Sequence, residues 1–169
     1  AIKTHSYHNF FKALFEFCSV DLSAFYFDIS KDTLYCNEVS DQTRKNKTTV
    51  LFYILEYLTA WYSPVLCHTM EEVWKNFKIE DVESVHLRLS KKVQSIWKNE
   101  LLLDKWNKVK KVRKTINSTI EIARNEKKIG SSLEAEVVIV LKDKNINELI
   151  KSIDMDNICI VSSFKLAAE

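Results

Sequence analysis

The sequence predicts a mainly α-helical chain, a helical bundle followed by a small α+β subdomain. Three observations lead there. Only one glycine (Gly130) and one proline (Pro64) occur in 169 residues. A sandwich or barrel needs frequent turn residues, and a dinucleotide or phosphate loop needs several glycines, whereas helices need neither. Apolar residues then recur at three- and four-residue steps through the first two-thirds. Near residue 136 the period changes, in the β-branched run Glu136-Val137-Val138-Ile139-Val140-Leu141.

Phe10, Phe11, Leu14, Phe15 and Cys18 fall on one helical face, and Leu22, Phe25, Tyr26 and Ile29 on the next. Asp21 either caps a second helix or lies within one continuous helix. Residues 35–46 are polar and read as a loop. A further helix is expected from about Lys47 to Tyr62, with Leu51, Ile54, Leu55 and Leu58 inward. Ser63-Pro64 ends it, since proline lacks an amide donor. Thr69-Met70-Glu71-Glu72 fits a capping box that opens a short helix through Trp74. Residues 78–93 read as irregular, with an extended piece at Val85-His86-Leu87. A long helix is expected over residues 101–128, with Leu103, Trp106, Val109, Ile116, Ile120 and Ala123 as its apolar set and Gly130 as its C-terminal stop. A buried strand at 136–141, a short helix at 145–153 and a second strand at 157–162 complete the reading. The boundary falls near residue 95, giving domains 1–95 and 96–169.

Charge and cysteines narrow the function less. Lys+Arg is 25 against Asp+Glu 23, a net charge of +2, so any basic surface is local. Cys18, Cys36, Cys67 and Cys159 include no CxxC pair, which argues against a zinc ribbon, and a chain with this much core has little need of a disulfide scaffold. No signal peptide and no membrane-spanning apolar run is present, so a cytoplasmic location and no membrane partner are expected. No nucleophile elbow occurs. Cys67 and His68 are sequence neighbours pointing about 100° apart on a helix, which does not make a nucleophile–base pair. His5 and His8 read as surface residues, and Asp21, Asp28 and Asp32 as solvated or capping carboxylates.

The segment Lys105–Lys114 holds six cations, Lys105, Lys108, Lys110, Lys111, Arg113 and Lys114, and no acid. On one helix they form a positive face able to neutralise phosphates; a merely solvated lysine face is the competing reading. A second cluster is Arg44-Lys45-Asn46-Lys47. Basic groups beside exposed aromatics suit single-stranded RNA. Tyr26, Phe27, Tyr35, Trp61, Trp74 and Trp97 are available, though most are expected in the core.

Three blocks then carry a family resemblance. Residues 17–36, read as Phe-Cys-Ser-Val-Asp-Leu-Ser-Ala-Phe-Tyr-Phe-Asp-Ile-Ser-Lys-Asp-Thr-Leu-Tyr-Cys, form the first. The second comprises Leu58–Leu66 and Thr69–Trp74. The third comprises Lys105-Trp106, Val112-Arg113, Glu121–Arg124 and Lys128–Ala135. In order, over about residues 7–141, they resemble the C-terminal anticodon-binding domain of bacterial isoleucyl-tRNA synthetases. Valyl- and leucyl-tRNA synthetases share that architecture, but the first block is nearer the isoleucyl version.

The resemblance implies a class Ia anticodon-binding bundle that begins inside the helical domain of a longer ligase. Its partners would be the anticodon stem-loop of isoleucine tRNA and the catalytic and editing domains of the same chain, with the protein a monomer. ATP and magnesium would serve the full-length enzyme. No HIGH or KMSKS signature is present, so no catalytic residue and no cofactor are expected here. Many members end in a zinc module with paired cysteines; this chain departs from that pattern, and zinc is not expected. On physical grounds Arg44, Lys45 and Lys47 are placed toward the anticodon loop, and Lys105, Lys108, Lys111, Arg113 and Lys114 along the stem backbone. Arg124, Lys127 and Lys128 extend the set. Ion pairs with Glu121, Glu126 or Glu134 are the competing role for Arg113 and Arg124. The alternative functions are a helical protein-interaction module without RNA binding, or the same domain of a valyl or leucyl enzyme.

Overall fold

The structure, a computed structural model, describes residues 6–77, 82–89 and 92–167. The readings for His5, 78–81 and 90–91 lie outside them. The chain divides at Val93/Gln94 into two compact units, and the architecture is mainly α with a two-stranded sheet.

In the first unit, helix α1 (Tyr7–Glu16) does not stop at Asp21. It continues through a π-wound segment (Phe17–Phe27) and a single 3₁₀ turn (Asp28–Ser30) into α2 (Lys31–Cys36). Leu14, Leu22 and Ser30 are its buried residues. Helix α3 (Gln42–Tyr62) starts five residues earlier than the pattern predicts. The Asp41 carboxylate accepts the Arg44 amide at 2.7 Å, so a capped polar turn belongs to the helix rather than to a loop. α3 lies alongside the first helical run, as its two ends show. Lys47 Nζ, near the start, donates to Thr33 Oγ1 (2.8 Å) and the Ile29 carbonyl (3.3 Å). Tyr62, at the end, meets Phe11 edge-on at 5.9 Å and Cys18 Sγ at 3.7 Å. Leu51, Ile54, Leu55 and Leu58 are half-buried, while the deepest positions of α3 are Glu56, Thr59 and Tyr62.

After the Pro64 turn, α4 (Cys67–Phe77) begins two residues before the expected capping box. Its first amide bond runs from Met70 to the Leu66 carbonyl, so Thr69 lies inside the helix and caps nothing. Residues 85–87 form a 3₁₀ turn, not an extended piece, because two side chains wind them inward. The Glu71 carboxylate accepts from Ser84 Oγ (2.8 Å) and the Val85 amide (3.1 Å), and Trp74 Nε1 donates to the Val82 carbonyl (2.8 Å). The Ser84 hydrogen bond is the main reason that the Glu71 carboxyl titrates below its usual range.

The second unit is built on α5 (Glu100–Asn125), capped by Asn99 through the Leu102 amide at 2.9 Å. Val109, Ile116 and Ile120 are buried as the period predicts, whereas Leu103 is 62% exposed and Trp106 half-buried. Gly130 does not end the helix. Lys127 takes the left-handed conformation (φ 59°), its amide bonds to the Arg124 carbonyl, and the Lys128 amide bonds to that of Ala123. That is a Schellman closure with lysine where glycine is usual.

Strand β1 (Glu136–Ile139) alternates exposed and half-buried residues, so it is not the fully buried strand expected. It pairs in parallel with β2 (Ser163–Leu166), Glu136 opposite Ser163 and Ile139 opposite Leu166. The crossover carries α6 (Lys144–Lys151), capped by Asp143, and α7 (Met155–Cys159), capped by Asp154. α7 replaces the first half of the strand expected at 157–162. The Asp154 cap starts a turn that buries Met155, Ile158 and Cys159 together, and left-handed Ile160 (φ 56°) ends it.

Candidate nucleic-acid interface

The two basic clusters are each divided by helical phase. At about 100° per residue, Lys111 and Lys114 lie on the side of α5 turned away from Val109, Ile116 and Ile120, Lys108 lies on the flank beside them, and all three are exposed. Lys108 pairs with Asp104 at 2.7 Å; that hydrogen bond, then the charge of the carboxylate, raises its pKa. Lys105 sits one turn before Val109 and is also exposed. Among the described residues, the ammonium groups of Lys105, Lys111 and Lys114 have no ion-pair partner.

Arg113 is not on that face. It is 9% exposed, and its Nε donates to the Ile158 carbonyl at 2.7 Å, fastening α7 to α5. The phase explains this: Arg113 lies one turn beyond Val109 and three residues before Ile116, on the core stripe. Arg124 pairs with Glu121 at 2.7 Å and Lys128 with Glu126 at 2.6 Å, the surface pairing considered for this region. Lys127 closes the helix.

In the first unit the cluster also separates. Arg44 Nη1 donates to the Asn37 carbonyl at 2.6 Å and holds the 37–41 loop against α3. Lys47 is held by Thr33 and Ile29, and partial burial pulls its pKa down. Lys45 projects outward. It borders an open groove of about 540 Å³ lined by Val39, Arg44, Lys45, Thr48, Thr49, Phe52 and Tyr53. Phe52 and Tyr53 are 43% and 39% exposed, with ring centroids 6.1 Å apart at 73°.

Sequence reasoning had no place for these two rings. The signal was present as spacing: Arg44-Thr48-Phe52 and Lys45-Thr49-Tyr53 are parallel i, i+4, i+8 rows on one helix. Treating 42–46 as loop broke the phase that reveals them. Of the aromatics named from sequence, Trp74 is buried, Tyr26 and Trp61 are half-buried, and Phe27, Tyr35 and Trp97 are exposed.

Among the described residues no cluster of three or more His, Cys, Asp or Glu side chains is arranged to hold a metal ion. No helix among them is long and apolar enough to cross a membrane. Cys67 and His68 are both exposed, and the Cys67 carbonyl is near His86 Nε2 at 3.3 Å, which builds no nucleophile site.

A capped helical bundle in the first unit, and in the second a long helix with exposed lysines and a small α+β piece, define a mainly α-helical class of protein. The chain belongs to the family described as the anticodon-binding domain of tRNA ligase, whose model matches residues 1–139. It is 44% identical over 161 residues to an isoleucine–tRNA ligase of Pelagibacter ubique, covering 95% of this chain and 18% of that protein. The isoleucine–tRNA ligases of Agrobacterium fabrum and Mesorhizobium japonicum are 40% and 42% identical, over 94% and 92% of this chain and 16% of each relative. The chain thus spans less than a fifth of the length of these curated relatives.

Proposed function

We propose that this chain binds the anticodon stem-loop of isoleucine tRNA and so holds that tRNA for ATP-dependent aminoacylation at a catalytic domain outside these residues. The similarity to isoleucine–tRNA ligases supports the choice of tRNA. The observation that carries the reading is the exposed row Lys108–Lys111–Lys114 along α5. Cations on one face of a rigid helix can meet successive phosphates of a duplex stem, where each contact releases counterions. Tight holding far from the chemistry lowers the entropic cost of bringing the acceptor end to the reacting atoms. ATP and magnesium belong to the catalytic domain in this reading, no zinc is assigned to these residues, and the protein acts as a monomer in the cytoplasm.

The test is a titration of the chain with isoleucine tRNA and with a valine tRNA at low and moderate salt. Tighter binding to isoleucine tRNA is expected, with affinity falling on a log–log salt slope of about −0.7 to −0.9 per phosphate contact. Equal affinity for both tRNAs would remove anticodon discrimination from this chain. A salt-independent affinity would remove the phosphate contacts and favour an apolar protein interface.

A further inference from the structure

We propose that the groove on α3 takes one unstacked nucleobase with its neighbouring phosphate, the base against Phe52 and Tyr53 and the phosphate on Lys45. This deepens the reading above and rests on it, since it takes RNA as the ligand.

The argument begins with the rows Arg44-Thr48-Phe52 and Lys45-Thr49-Tyr53. Each carries a cation, a threonine and an aromatic ring at successive turns, so two positive groups and two rings border one strip of helix. The threonine hydroxyls are already engaged: Thr48 Oγ1 donates to the Arg44 carbonyl at 2.9 Å and Thr49 Oγ1 to the Lys45 carbonyl at 2.8 Å. The floor between cations and rings is therefore apolar. Val39 closes one side from the loop that Arg44 ties down.

The charge arrangement selects the occupant. The lining holds two cations and no carboxylate. Arg44 uses one guanidinium nitrogen on Asn37, and the Lys45 ammonium makes no ion pair or hydrogen bond among the described residues, its charge only adding to the Arg44 amide bond that lowers the pKa of the Asp41 carboxyl. An apolar peptide side chain would gain nothing from that pairing of rings with positive charge. A nucleotide matches both halves, because its base offers a π face and its phosphate an anion. A paired base cannot enter, since its faces are covered by its neighbours, so the groove calls for a single-stranded loop rather than a stem.

The experiment compares two RNA probes, a hairpin with the isoleucine tRNA anticodon loop and its stem closed as a blunt duplex. Phe52→Leu keeps apolar bulk on an exposed helical position and removes the ring. We expect it to weaken hairpin binding roughly 5- to 100-fold, the range for one lost base stack, and to leave duplex binding unchanged. Lys45→Ala should make the hairpin salt slope shallower by about 0.7, one single-strand phosphate contact. If Phe52→Leu melts early, Thr49→Glu decides: a carboxylate in the groove should weaken hairpin binding and spare the duplex.

Hairpin affinity unchanged in folded Phe52→Leu, with Lys111→Ala/Lys114→Ala still weakened, would overturn the groove and leave the wider reading standing. Equal weakening toward both probes would also overturn it, because the loss would not be one of base stacking. If the unsubstituted chain binds neither probe at low salt, the wider reading falls and the groove with it.

Discussion

Each unit buries one arginine, and the two do it differently. In the first, Arg88 enters from the 82–89 segment, lies 5.2 Å over the Trp74 ring and pairs with the carboxylate of Glu56 on α3. Both side chains are almost fully enclosed. In the second, Arg113 comes from the middle of a basic run and donates to the Ile158 carbonyl, beside buried Cys159. One guanidinium meets a carboxylate and a ring; the other meets a backbone carbonyl that α7 turns toward it. The difference teaches that helical phase, not local charge density, decides which cation is structural. Lys108, Lys111 and Lys114 around Arg113 remain exposed because they lie off the stripe.

The largest effect should come from the carboxylate side. Glu56→Ala strands the Arg88 charge in the core and is expected to destabilise the first unit by about 3–5 kcal/mol. Urea unfolding followed by Trp fluorescence measures it. Replacing both partners, Glu56→Leu with Arg88→Met, should recover most of that loss, since an apolar pair of similar size removes the desolvation penalty. A double variant as unstable as the single one would show that the Trp74 stacking, rather than the ion pair, holds the segment.

Arg113→Ala should cost less, about 1–3 kcal/mol for leaving the Ile158 carbonyl without this donor. The two units also part in alkali. Burial pushes the Cys159 thiol up to about 11, and burial, then Cys18, pushes the Tyr62 phenol up to about 12. Each native group holds its proton more tightly than its unfolded form. Their stabilisation is therefore complete below the unfolded pKa values, near 9 and 10, and is lost as pH rises through 11 and 12. The second unit should weaken first. Cys159→Ala should flatten its decline between pH 9 and 11, and iodoacetamide at pH 8 should label Cys36 and Cys67 but spare Cys159.

Much of this contrast was written in the sequence. The scarcity of glycine and proline gives the fold class, and the stripe Val109-Ile116-Ile120 and the β-branched run at 136 place α5 and β1. What escaped depended on partners distant in sequence. Ile158-Cys159-Ile160-Val161 reads as strand on propensity, yet packing against α5 and the Asp154 cap put Ile158 and Cys159 in a helical turn that left-handed Ile160 closes. Val85-His86-Leu87 reads as extended until Glu71 supplies an acceptor for its amide. Glu56 looks like a surface acid at its place in α3, and only Arg88, 32 residues later, makes it a core residue. The lysine row was legible because phase alone determines it.

That row gives a smaller effect, confined to binding. Lys111→Ala with Lys114→Ala should leave the melting temperature within error and make the tRNA salt slope shallower by about 1.4 to 1.8, one phosphate for each lysine. Adding Lys108→Ala should contribute less than either, because Asp104 already holds that ammonium. An unchanged slope in the folded double variant would remove α5 from the interface.

The smallest expected effect sharpens the comparison at the level of the backbone. Lys127 and Ile160 are the two non-glycine residues with positive φ among the described residues, and each ends a helix of the second unit. A side chain in that conformation is strained by contact between its Cβ and the following carbonyl. Lys127→Gly removes the strain but also frees the unfolded chain, so the net gain should be about 0.5–1 kcal/mol, read as a small rise in melting temperature. Gly130 offers the control. Its φ is not positive, and its amide donates to Glu134 at 2.9 Å. A Cβ there would meet Glu134 Oε1 at 3.3 Å, at the end of a flexible side chain. Gly130→Ala should therefore be nearly neutral. If instead it destabilises while Lys127→Gly does nothing, the helix stop lies at the glycine after all.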